Sequence, residues 1–200
     1  MSDDQLRWYR IDEQLFALAA VQHAAHCLEE VKRDWQQLPW AIIALHNATQ
    51  ASLIAHLTGT AGLGALEAKC AELTLAALQG EGEYPQEFVA KFLELVRRAT
   101  KLEKQIEAAG GVLQLSSAER KALRRLNSLR NEFVHFSPKG WSVEISGLPQ
   151  IALSCVTVFR GVVSTGWALR SLDDDEVAQY VVGVDEIEHH AQSLFVRVDV

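Results

Sequence analysis

Nineteen consecutive residues, PWAIIALHNATQASLIAHL at positions 39–57, contain no lysine, arginine, aspartate or glutamate. The stretch is alanine-rich and reads as a helix, and a helix without a charged face has no side to turn to water. It must be surrounded, so the rest of the chain has to supply the elements that cover it. Pro39 suits the first turn, where its missing amide hydrogen is no loss. The glycine-rich run from Gly59 to Gly64 ends the helix.

The remaining pattern is also helical. Residues 12–35 carry Leu15, Leu18, Ala19, Val21, Ala25 and Leu28 at approximate helical spacing, with charge concentrated after Glu29. A third helix is expected over residues 66–79. A fourth is expected over residues 85–107, closed by Gly110 and Gly111. The fifth opens on a capping box, Ser116 with Glu119 three residues on, and ends near Phe136 before SPKGW. WSVEIS then alternates Trp141, Val143 and Ile145 with polar residues, the pattern of one short strand. A sixth helix is expected over residues 149–170, and the acidic run 173–176 marks a further helix N-terminus. The class is therefore all-α, a bundle of about five to seven helices with at most one short strand or hairpin after the fifth.

With 200 residues, no internal repeat and no linker, residues 1–200 read as one domain. Cys27, Cys70 and Cys155 are odd in number and lie among apolar residues, which suits buried thiols in a reducing compartment. The N-terminus, MSDDQLRWYR, begins acidic and lacks the apolar core of a secretory signal, so the cytoplasm is the expected location. Residues 151–169 approach membrane-spanning length but carry Arg160, two glycines and several hydroxyls; a buried core helix is expected, not a span.

The phosphate-binding glycine loop, the GxSxG elbow and HExxH are absent. His23 and His26 lie three apart and His46 and His56 ten apart, without a sequence-local partner to complete a ligand set, and the adjacent His189 and His190 diverge on a helix that follows acids. No metal and no cofactor are expected. Charge is uneven: residues 91–130 hold ten bases against four acids, a local net of +6 in a chain of net −7. A basic segment on an acidic protein fits a nucleic-acid contact on one face, or equally a face for acidic neighbours or a partner.

The fifth helix carries Arg130-Asn131-Glu132-Phe133-Val134-His135 close to its end. On a wheel, Ala122, Leu126, Leu129, Phe133 and Phe136 define the core face; Arg130 falls on its shoulder, and His135 lies about 140° from Arg130. In a regular helix the two cannot grip one small ligand from the same side. Either the last turn is distorted near Pro138, or a second copy of the helix completes the site across a twofold axis. The plain alternative is a surface pair, with Arg130 bridging to an acid and His135 at the negative helix end.

An arginine, a polar residue and, after three more, a histidine, late in a helix of an all-α domain, resembles the R-x4-6-H signature of the HEPN superfamily. The resemblance covers the chain as helical layout, and six residues specifically. It implies a metal-independent endoribonuclease that works as a homodimer, in a superfamily that includes toxins, antiviral effectors and RNA-processing enzymes. Members without the motif are noncatalytic binding modules, and such a module is the alternative here. Arg130, Asn131 and His135 are then the catalytic candidates, and Arg120, Lys121, Arg124 and Arg125 the RNA contacts. RNA, a second copy and a regulatory or antitoxin protein are the implied partners.

The chemistry suits these residue types. Cleavage without a metal needs attack by the 2′-hydroxyl on phosphorus with proton transfer, which histidine performs near neutral pH. Arginine stays charged and stabilises the phosphorane-like transition state. Asn131 is placed to orient His135 or the phosphate, and Glu132 reads as solvent-facing or a dimer contact.

Overall fold

The computed structural model describes residue 9 and residues 11–107, 109–135, 140 and 142–198, with side chains described through residue 194. Among the described residues seven helices follow one another: α1 (Glu13–Arg33), α2 (Leu38–Leu57), α3 (Ala68–Leu78), α4 (Phe92–Ala99), α5 (Ser117–Val134), α6 (Leu148–Thr165) and α7 (Asp174–Val198). Single 3-10 turns lie at Trp35–Gln37, Leu102–Lys104 and Trp167–Leu169. The protein is all-α, and no strand occurs among the described residues.

Local chemistry explains most helix starts. Asp12 Oδ1 accepts from the amides of Gln14 (3.0 Å) and Leu15 (2.9 Å) at the head of α1. The capping box of α5 forms in both directions: the Glu119 amide donates to Ser116 Oγ (3.2 Å) and the Ser116 amide to Glu119 Oε2 (2.6 Å). Asp173 and Glu176 form the same reciprocal pair before α7, at 2.8 and 3.0 Å. Gly166, with φ of 67°, ends α6 in the left-handed region.

The uncharged α2 is the axis. Residues from Leu38 to Leu57 are buried at fourteen positions, under α1, α4, α5 and α6, while α7 packs across α1 and α6. The polar side chains that α2 buries each find a partner. Thr49 Oγ1 donates to Leu45 O (2.7 Å), Ser52 Oγ meets the Tyr180 hydroxyl (2.8 Å), and His56 Nε2 lies 3.3 Å from Gly111 O. The Trp167 indole donates to Thr58 O (2.9 Å), closing the C-terminal end. All three cysteines are free and buried, and burial pushes the Cys155 thiol up to about 12. α6 is the one described helix long and apolar enough to cross a membrane, and its buried side packs within the bundle.

One expectation is corrected. The fourth helix does not span residues 85–107; only α4, Phe92–Ala99, is helical, followed by the turn Leu102–Lys104. Before it the chain is extended, because Glu67 N donates to Phe88 O (2.7 Å) and Ala90 N to Ala65 O (2.8 Å) around an antiparallel bridge between Leu66 and Val89. After it, Glu107 is drawn away: its carboxylate accepts from the amides of Gly59 (3.2 Å), Ala61 (2.9 Å), Leu63 (2.7 Å) and Gly64 (3.0 Å). That loop admits nothing larger at Gly64, where a Cβ would stand 1.7 Å from Leu57 O. The short strand allowed after α5, at most one, does not form among the described residues; residues 142–145 are irregular, with Val143 and Ile145 packed on the core, and Trp141 lies outside the described residues.

Four amides on one carboxylate make Glu107 the clamp between two loops at the end of α2. Glu107→Ala leaves those donors to compete for water in a confined turn and should cost about 2 kcal/mol. Glu107→Gln, which keeps one acceptor oxygen, should cost about half as much. Urea unfolding of the three proteins checks this, and equal midpoints would show the clamp to be idle.

Candidate functional site in the α2–α5 seam

The buried residues of α5 are Ala122, Leu123, Leu126 and Leu129. Leu123 widens the core face toward Arg130, so Arg130 falls inside that face instead of on its shoulder and is half-buried, while Asn131 and His135 are exposed. Phe136 and Pro138 lie outside the described residues. The helix stays regular to its end: the His135 amide donates to Asn131 O at 3.0 Å, and His135 caps the helix at φ −105°, ψ 47°. No distortion brings His135 round to Arg130 in the described chain.

Arg130 instead faces a cleft of about 420 Å³ between two helices and an extended wall. α2 contributes His46 and Gln50, one turn apart; α5 contributes Asn127, Arg130 and Asn131; residues 89–93 form the third side. His135 does not line it. The His46 ring stacks on Phe92, centroids 4.2 Å apart and 29° between planes, and its Nε2 lies 3.3 Å from Asn127 Oδ1. With Nε2–H donating to that oxygen, Nδ1 carries the lone pair. His46 Nδ1 and Arg130 Nε are both buried without a hydrogen-bond partner. Arg130 Nη1 donates to Asn131 Oδ1 at 3.1 Å. Burial takes the His46 imidazole down to about 4; the Asn127 contact opposes this and the Arg130 charge adds to it.

The basic segment is less available than its count. Arg98 is buried and donates to Gly64 O (3.0 Å) and Leu66 O (2.6 Å), and both it and Arg97 pair with Glu94. Arg120 donates to Leu115 O (2.5 Å), and Arg125 lies 3.9 Å from Glu132, which also accepts from Ser128 Oγ (3.0 Å). Lys121 and Arg124 are exposed on α5, and Lys91 is exposed at the cleft. Helical spacing puts Arg120, Arg124, Asn131 and His135 on one outward stripe.

The histidine pairs divide. His46 and His56 are buried; His190 Nδ1 lies 2.8 Å from Lys32 Nζ. The reading that His23 and His26 lack a local partner needs correction: ligand atoms of His26, Glu29 and Glu30 lie within 4.8 Å of one another. Both carboxylates are paired with Arg33 on the surface of α1, and the group is far from closed.

His46, Gln50 and Asn127 were not legible as site residues. Asn127 sits three and four residues before Arg130 and Asn131, which is a signal, but its partner His46 is 81 residues away. Compared with family models, with curated proteins and with solved structures, the chain matches none.

Neutral burial of His46 links the seam to pH. Unfolded, the imidazole titrates near 6.5, and folded near 4, so between these values the unfolded chain binds the extra proton. The stabilisation is complete above pH 6.5 and is lost as pH falls toward 4, about 3 kcal/mol in all. His56 shifts in the same direction through burial. Urea midpoints measured from pH 7.5 to 4.5 should therefore fall, and fall less steeply in His46→Gln; an identical slope in the two proteins would remove His46 from the account.

Proposed function

We propose that the chain is a metal-independent endoribonuclease of the HEPN kind, acting as a homodimer on single-stranded or looped RNA. The observation that carries the reading is the cleft at the motif: Arg130 half-buried beside His46, with Lys91 and three carboxamides around it. Such a site attracts a phosphodiester and holds it in a place partly screened from water, where a guanidinium acts strongly.

In the reaction the ribose 2′-oxygen attacks the adjacent phosphorus and the bond to the 5′-oxygen breaks. The products are a 2′,3′-cyclic phosphate and a 5′-hydroxyl. Arg130 holds the non-bridging oxygens, and Asn131, bonded to Arg130, keeps the guanidinium in register. His135 takes the proton from the nucleophile or gives one to the leaving oxygen. Since His135 stands on the outward stripe of a regular helix, it serves the cleft of a second copy, and each dimer site combines the Arg130 of one chain with the His135 of the other. An activity of this sort suits a toxin or defence effector restrained by a partner protein.

The exclusion of His135 from its own cleft also favours a second reading, a noncatalytic helical module that dimerises or binds a partner through α5. Cleavage of RNA in excess EDTA separates the two. Arg130→Ala and His135→Ala should each lose activity by about 10²–10⁴-fold while remaining folded dimers. Mixing the two inactive variants should restore up to a quarter of wild-type activity, because half of the randomised dimers carry one intact composite site. Wild-type activity that survives either substitution sinks the mechanism, and inactive mixtures sink the shared site.

A further inference from the structure

We infer that the α2–α5 cleft is a base-selective pocket for one adenylate nucleotide, with Gln50 reading the base and Arg130 and Lys91 holding its phosphate. For an adenylate within RNA, the inference rests on the ribonuclease reading above; for a free nucleotide it stands alone.

The argument starts from what is spent and what is free. Asn127 Oδ1 is engaged by His46, and Asn131 Oδ1 by Arg130. Gln50 is half-buried at the cleft wall and has no hydrogen-bond partner among the described residues, so both ends of its carboxamide remain open. A carboxamide with donor and acceptor side by side matches adenine, which offers N6–H beside N7 or N1. Guanine is the usual match for arginine, but here Arg130 Nε is buried and one Nη1–H is spent on Asn131, and the inference assigns the remaining Nη hydrogens, together with Lys91, to the phosphate.

The walls fit the rest of a nucleotide. On the extended segment Ala90 is buried while Val89 and Lys91 are exposed, so Val89 and Lys91 project to the same side. Val89 and Leu93, 42% and 39% exposed, provide apolar surface for the faces of a planar ring. Lys91 between them adds a second cation. At the floor, His46 is 2% exposed and stacked on Phe92, so its ring closes the pocket from below. A cavity of about 420 Å³ is of the size that takes a small-molecule ligand.

The test is calorimetric titration of 5′-AMP, GMP, CMP, UMP and inorganic phosphate, in EDTA, into wild type, Gln50→Leu and Arg130→Ala. AMP should bind at least tenfold tighter than the other three nucleotides and than phosphate. Gln50→Leu should bring AMP down to the level of CMP and UMP without moving those two, and Arg130→Ala should weaken all four alike. Equal affinities, preference for another base, undetectable AMP binding at millimolar concentration or a preference intact in Gln50→Leu would each overturn the pocket. RNA pentamers CCACC and CCCCC distinguish the sources: a CCACC preference places the adenylate in RNA, and its absence alongside AMP selectivity assigns the pocket to a free nucleotide. Adenylate selectivity without any RNA cleavage defeats the nuclease reading alone, whereas cleavage without selectivity defeats the pocket alone.

Discussion

Everything in this fold depends on enclosing a helix that has no charged side. Burying α2 is favourable through its apolar residues, but it also takes Thr49, Ser52, His46 and His56 out of water. Buried polar atoms without partners cost about 1–3 kcal/mol each, so each must be met. Thr49 turns back on its own helix, but the others reach outward, Ser52 to α7, His56 to the segment before α5, and His46 to α5 itself. Apolar packing says only that helices cover α2. These contacts say which helix lies where and in what register, since a slip by one residue would break them.

How much of this was legible follows from how far each signal reaches. Capping residues act within four residues, so Asp12, the Ser116–Glu119 box and the acidic start of α7 were readable, as was Pro39. Residues 85–107 read as one helix because they carry good helix formers without an interior glycine. Two distant contacts overrule that preference: the Leu66–Val89 bridge takes the front extended, and the amides of the 59–64 loop take Glu107. The site divides in the same way. Arg130, Asn131 and His135 are neighbours in sequence, whereas His46 and Gln50 join them only through tertiary packing.

Charge shows the same limit. The excess of bases over residues 91–130 suggests a continuous basic face, yet Arg97, Arg98 and Arg120 are taken up by Glu94 and by backbone carbonyls. What remains is Lys91 and Arg130 at the cleft, Lys121 and Arg124 along the outer side of α5, and Lys101 and Lys104 around the turn after α4. A net charge of −7 discourages loose attraction of polyanions. Any anion held here is held by a few positioned cations, which favours a defined short segment over long stretches of backbone.

The seam is also where the enclosure of α2 is left unfinished. His56 Nδ1 is buried without a partner farther along α2, and at the cleft the same holds for His46 Nδ1 and Arg130 Nε. A leucine at either position would remove that cost and extend the core already formed by Leu123 and Leu126. Keeping a half-buried guanidinium beside a histidine held neutral makes sense where a ligand supplies further contacts to its Nη atoms. An anion there satisfies Arg130 and relieves its repulsion of a protonated His46. On the proposed reading, it is Arg130 and the open carboxamide of Gln50 converging on one cleft, more than unpaired atoms or the six-residue motif alone, that a ligand would meet.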